Sequence, residues 1–256
     1  MPKQQLQTMI KEIAHHRSIR KFRPTEIPAE TVHDILQAAT RASTVGNMQL
    51  YSIVVTTDKQ LREQLAPCHF NQPMVTEAPM LLTFCADINR FSHWCRVRGA
   101  EPRYDNFVWY VNAVIDAMLA AENAALQAEA HGLGICVLGT TLYTAKQIIE
   151  ILELPRGVIP VTTMVMGYPD EQPPLTDRLP LEAVVHYQKY TDPTSAEIEE
   201  LWAEREASPQ TARLIEENGL PNLARIFTDR RYTAADNIAF SKSYFETLVE
   251  QGFFNQ

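Results

Sequence analysis

The run His131-Gly132-Leu133-Gly134-Ile135-Cys136-Val137-Leu138-Gly139-Thr140 holds a helix stop, a strand and a strand-end turn in close succession. Glycine just past a polar helix end supplies the left-handed residue on which helices commonly finish. The apolar run Ile135 to Leu138 then has the length and content of a strand buried on both faces. Three further runs read the same way: Tyr51 to Thr57, Leu81 to Ala86 and Val161 to Gly167. Between them the spacing predicts helices at Asp58 to Leu65, Tyr104 to His131 and Thr144 to Leu152. Upstream, Leu6, Met9, Ile10 and Ile13 recur at helical spacing, and a second helix starts at Pro28 and runs out near Ala42. A sheet covered by helices follows, which is an α+β or α/β arrangement.

After Tyr168 the character changes. Pro169, Pro173, Pro174 and Pro180 mark an extended passage, and beyond Pro193 helices follow without a further strong strand. Thr233 and Asp236 have the spacing of a capping box for the last helix. The expected organisation is a main domain over residues 1–190 and a helical extension over 191–256, docked on its own domain or on a partner subunit.

A formal charge of -8 in 256 residues argues against a general nucleic-acid or anionic-membrane surface. The most apolar long segment, Phe107 to Ala130, is interrupted by Asn112, Asp116, Glu122 and Glu129, so it reads as a buried or interface helix and not a bilayer span. Met1 to His15 lacks the apolar stretch of a signal peptide. Cys68, Cys85, Cys95 and Cys136 form no C-x-x-C pair and have no zinc-ligand spacing, so reduced thiols in a cytoplasmic protein are expected. Gly-x-Ser-x-Gly, the P-loop and Gly-x-Gly-x-x-Gly are all missing from the chain. Arg96, Arg98 and Arg103 read as a solvated loop, and Trp94, Tyr104, Trp109 and Tyr110 as packing.

The stretch His16-Arg17-Ser18-Ile19-Arg20 gathers two guanidinium groups, an imidazole, a hydroxyl and free backbone N–H groups. A phosphate monoester needs such a donor set. By itself it reads more readily as a cationic helix end favoured by the helix dipole. Read in order with Ser43-Thr44-Val45-Gly46-Asn47-Met48-Gln49, with Gln72 ahead of Ala78-Pro79, with Gly132 to Thr140, and with Gly167-Tyr168-Pro169 followed by Arg178-Leu179-Pro180, it resembles the nitroreductase family. The likeness runs from about Ile10 to Tyr190 and is strongest to the oxygen-insensitive nitroreductase and flavin-reductase branch.

The resemblance implies an α+β nitroreductase-like fold, with a central mixed β-sheet flanked by helices and a helical C-terminal extension, assembled as a homodimer with FMN sites built from both subunits. It implies that His16, Ser18 and Arg178 hold the FMN phosphate, with Arg17 available to compensate. Arg20 would reach the N1–C2=O edge of the ring, where a cation favours the negative charge of reduced flavin. Thr44 and Asn47 would approach the cofactor across the dimer interface. Gln72 would bond the polar edge of the ring, and Leu138, Gly139 and Thr140 would lay backbone against it, glycine permitting close approach. The residues alone leave Gln72 and Arg178 open as surface groups and Gly139 as a turn. One departure is Thr176, where the branch usually carries a lysine, with Asp177 beside it.

The activity so implied is ping-pong hydride transfer from NADH or NADPH through FMN to a nitroaromatic, quinone or similar small acceptor, with no metal and no side chain acting as general acid. The alternatives are a flavin reductase or other flavin-handling enzyme, and a non-enzymatic flavin-binding protein.

Overall fold

The computed structural model describes residues 9 to 255. Leu6 of the expected opening helix lies outside them, and the described part of that region is α1, Lys11–His15. Helix α2, Ala29–Ala39, begins after Pro28. The strands are β1, Tyr51–Thr56; β2, Met80–Asp87; β3, Gly134–Leu138; and β4, Val158–Gly167. They form one sheet in the order β1-β2-β4-β3, and every neighbouring pair is antiparallel.

The expected mixed sheet is therefore corrected to an antiparallel one. A strand buried on both faces is uniformly apolar whichever way its neighbour runs, so composition carries no direction. The parallel contact among the described residues is a single bridge between Ser18 and Ile135. Burial also differs along the order: β2 and β4 are covered throughout, whereas Val55 on β1 and Val137 on β3 are exposed at the two edges.

Between β1 and β2 lie α3, Lys59–Leu65, a tight turn at Ala66–His69, and α4, Met74–Glu77. Asp58 caps α3 by accepting from Leu61 N at 2.7 Å. Helix α5, Asn89–Val97, replaces the loop expected around Arg96, with the Asp87 side chain accepting from Arg90 N in its first turn. The long helix α6, Phe107–Ala130, starts at the Asn106 cap. Its Ala113, Ala117, Ala120, Ala124 and Ala128 recur at three- and four-residue steps and are fully buried in the main core beside Ile35, Leu82, Phe84 and Met164. Small side chains along one face let neighbouring backbone approach closely. Helix α7, Ala145–Ile151, then leads to β4.

Asp116 interrupts that alanine face and is almost fully buried. Its two oxygens accept from Val45 N and Leu50 N, both at 3.0 Å, the first opening the turn Val45–Asn47 and the second just before β1. That loop holds Gly46, Asn47 and Gln49 at φ near +55°, a conformation that costs a side-chain-bearing residue about 1 kcal/mol or more. Arg90 grips the same loop through Gln49 O and Tyr51 O.

The chain divides into two compact units, one holding residues up to Leu175 together with those from Phe240 onward, the other Thr176–Ala239. The second contains α8, Ser195–Glu206, closed by a Thr194/Glu197 capping box; α9, Pro209–Asn218; and the short α10, Leu223–Ile226. The last helix, α11, Ala234–Glu250, is preceded by Thr233, whose hydroxyl bonds Asp236 at 2.7 Å as its spacing predicts. None of the helices among the described residues is long and apolar enough to cross a membrane.

Asp116→Ala leaves two loop N–H groups without their charged acceptor. It is expected to lower the unfolding free energy by about 3 kcal/mol, measured as a fall in the urea midpoint without a change in slope.

Candidate functional site

The cationic run is seated at one end of the sheet by an opening in the side-chain layer. Ile19 N donates to Ile135 O at 2.8 Å, Arg23 N to Tyr168 O at 2.9 Å, and Asp170 N to Lys21 O at 2.9 Å. The run thus lies against the start of β3 and the end of β4, where Gly134 and Gly167 face each other in register. A Cβ on Gly134 would meet Ile19 at 2.5 Å, and one on Gly167 would meet Pro79 at 2.6 Å and Phe22 at 3.0 Å. Two facing glycines make the space that Ile19 and Phe22 fill.

Around that seat, His16 Nδ1 meets Glu129 Oε1 at 2.7 Å. Burial pushes the Glu129 carboxyl above the usual range and His16 pulls it partly back, while its second oxygen is buried without a partner among the described residues. Arg17 donates from Nε to Pro173 O and from Nη1 to His15 O, both at 2.8 Å. The backbone N–H groups of Arg20 and Lys21 both donate to Glu171 Oε1, at 2.6 and 3.1 Å. Within β3, burial raises the Cys136 thiol, and the Arg20 charge and a hydrogen bond with Ser18 offset part of that rise. A cleft of about 550 Å³ opens here, with Lys11, His15, Arg17 and Arg23 set against Glu12, Glu129, Asp170 and Glu171.

A second group stands at the other end of β3. Leu138 is buried, its carbonyl accepting from Thr141 Oγ1 at 2.9 Å, and Gly139 and Thr140 begin a tight turn, Gly139–Leu142. A Cβ on Gly139 would meet nothing within 4 Å, so that backbone faces open space. Gln72 Nε2 donates to His69 O at 3.0 Å, and His69 Nδ1 meets Thr140 Oγ1 at 2.8 Å. The structure therefore ties Gln72 to the Leu138–Thr140 turn.

Thr44 and Asn47 stand apart from these two groups. Thr44 is half-buried and Asn47 exposed on the loop held by Asp116, and among the described residues no hydrogen bond links that loop to either group. Arg178 belongs to the second unit, where its Nη1 donates to Thr176 Oγ1 at 2.7 Å and to Asp177 O at 2.9 Å. Asp177 is itself paired with Arg205 at 3.4 Å. Among the described residues no cluster of three or more His, Cys, Asp or Glu is arranged to hold a metal.

Sequence reasoning missed the supports: His69, Asp116, Glu129 and Glu171. Asp116 and Glu129 had a signal, since a carboxylate on an otherwise apolar helix face must find donors. His69 had a weaker one, its place three residues before Gln72. Glu171 had none, because its partners are backbone groups distant in sequence.

An antiparallel sheet wrapped by helices, with a cationic run at one end of an edge strand and a glycine turn at the other, defines a nitroreductase-like α+β protein. The sequence profile of the nitroreductase family matches residues 13–168, and the chain belongs to that family. The FMN reductase (NADPH) of Bacillus subtilis is 33% identical over 183 residues, covering 71% of this chain and 74% of the relative. The oxygen-insensitive NADPH nitroreductase of Salmonella typhimurium is 33% identical over 71% of this chain and 74% of its own. A crystal structure from Bacteroides fragilis superposes with a TM-score of 0.94 at 45% identity, over 96% of this chain and all of the other.

Burial lowers the His69 pKa from 6.5 to about 4. The folded value lies below the unfolded one, so the stabilisation is complete above pH 6.5 and is lost as pH falls toward 4. Urea unfolding of wild type and His69→Asn at pH 7 and pH 4 is expected to differ in pH dependence, the wild type losing about 3 kcal/mol more.

Proposed function

We propose that the chain is an FMN-dependent oxidoreductase that uses NADH or NADPH to reduce a nitroaromatic, quinone or similar acceptor by a ping-pong cycle. The observation that carries this reading is the placement of the two residue groups at opposite ends of β3. Ile135, under Ser18, and Gly139 are four residues apart, roughly 13 Å of strand. That separation suits a ligand with an anionic end, a short flexible chain and a planar ring.

The donor set fits FMN at both ends. His16, Ser18 and the uncommitted N–H groups of Arg17 would take the phosphate, His16 being oriented by Glu129. Gln72 has one amide hydrogen fixed on a backbone carbonyl, which can only accept, so its oxygen is identified and left free as an acceptor. Gln72 would then pair with the alternating edge of the ring, and the open backbone at Gly139 would admit its face. Bound FMN would supply the redox chemistry. Arg20 would stabilise negative charge on the ring edge, with Glu171 holding its backbone in place. For Arg178 the phosphate role rests on the resemblance alone.

We propose a homodimer, with Thr44 and Asn47 facing the partner's cofactor and residues 191–256 as an extension packed on the same domain or the partner. The support is an apolar stripe on α6 opposite its alanine face: Val108, Val111, Ile115, Met118 and Leu119, with Val108 66% and Ile115 50% exposed. Such a stripe on a long helix is a subunit-contact pattern. A cytoplasmic location accords with four free cysteines.

Purified protein is expected to show a flavin spectrum that bleaches under anaerobic NADH or NADPH and returns when a quinone or nitroaromatic is added. Arg20→Ala is expected to keep the flavin and lose about tenfold or more in turnover, whereas unchanged turnover removes the electrostatic role. No bound flavin after reconstitution with FMN would overturn the reading.

Ile115→Asp places a charge in the middle of the stripe and is expected to shift sedimentation from dimer to monomer. An unchanged dimer would move the interface elsewhere.

A further inference from the structure

The turn that presents Gln72 is strained and clamped. Phe70 and Asn71 stand at φ 56° and 54° in immediate succession, a left-handed conformation that is unfavourable for residues with side chains. Local bonds close the turn, Phe70 N to Pro67 O and Asn71 N to Ala66 O. Two threonines of the following layer then grip it: Thr144 Oγ1 donates to Cys68 O at 2.7 Å, and Thr140 Oγ1 meets His69 Nδ1 at 2.8 Å.

His69 is the joint in this clamp. Its ring is fully buried, its Nδ1 is tied to Thr140, and its carbonyl receives both the Gln72 amide at 3.0 Å and Gln72 N at 3.2 Å. Its Nε2 is buried with no partner among the described residues. A buried ring that satisfies one nitrogen and forgoes the other costs free energy that an apolar residue would not. The bond it does make joins the two turns that are read as lining the flavin.

We infer that His69 is a positioning residue, which locks the Gln72 carboxamide to the Gly139–Thr140 backbone so that the edge and the face of the flavin ring are read by one rigid unit. This rests on the FMN reading above. The ring stays neutral at physiological pH because burial holds its pKa near 4, so the lock does not open with ordinary changes in pH.

The test is FMN titration of the full-length apoprotein, followed by fluorescence quenching, together with the visible spectrum and reduction potential of the bound flavin. His69→Leu and Thr140→Val are each expected to weaken FMN binding by about tenfold. The double variant is expected to be no weaker than the worse single one, because both remove the same bond. His69→Asn, which restores a polar atom near the position of Nδ1, is expected to bind within about threefold of wild type. Thr140→Val keeps the test decisive if His69→Leu fails to fold. Folded single variants with wild-type affinity, spectrum and potential would overturn the inference, as would strictly additive losses. Wild-type protein that binds no FMN would instead sink the cofactor reading itself.

Discussion

The site depends on the missing side chains at Gly134 and Gly167. These two residues face each other across β3 and β4, and the space between them and their neighbours is taken by Ile19 and Phe22. An added methyl at either place would stand within 3 Å of a buried group that belongs to a branched or cyclic side chain and cannot swing aside. Ile19 is the apolar member of a polar run, so burying it brings Ser18 and Arg20 to the sheet on either side of it. Alternation in an extended segment then keeps their side chains off the face that Ile19 buries. The hydrophobic anchor therefore determines where the donors stand.

Helix α6 organises the structure on several sides at once. Its alanine face packs into the core, Asp116 holds the loop of Thr44 and Asn47, and Glu129 orients His16. Its opposite stripe is left apolar and exposed. Of the two expectations for Phe107 to Ala130, core or interface, the alanine face meets the first, and the exposed stripe is the face on which the proposed dimer would rest. A helix buried on one side by small residues and apolar on the other has low amphipathic contrast, and its sequence reads as hydrophobic all round.

What was legible in the sequence was local. Asp58 and Thr233, at the expected starts of their helices, act within three residues of themselves, and the glycine stop at His131–Gly134 ends α6 where its composition predicts. Strand direction was not legible, because β2 and β4 are buried on both faces and carry no alternation. Helix α5 was hidden by its arginines, which suggested solvent although one face packs Phe91 against Tyr104. The candidate site divides in the same way. The residues expected at both ends of β3 were named from the order of the motifs, but His69 and Glu171 act through backbone carbonyl or N–H groups. Such partners leave no trace in residue type.

Local charge decides how an acidic chain would hold the phosphate of the proposed cofactor. The formal charge of -8 is spread over the whole protein, while the cleft sets Lys11, His15, Arg17 and Arg23 against four acidic side chains, Glu12, Glu129, Asp170 and Glu171, with Asp170 paired to Arg23 at 3.8 Å. Glu129 and Glu171 do not simply cancel the cations. Glu129 is largely buried and spends one oxygen on His16; Glu171 spends one oxygen on two backbone N–H groups. Each converts negative charge into orientation of a donor, and because both act at contact distance they are screened little by salt. The guanidinium of Arg20, by contrast, is exposed, so its field is strong only where water is displaced. A planar ring lying on the Gly139 turn is a group that would displace it, which makes the electrostatic effect of Arg20 conditional on occupancy of the site.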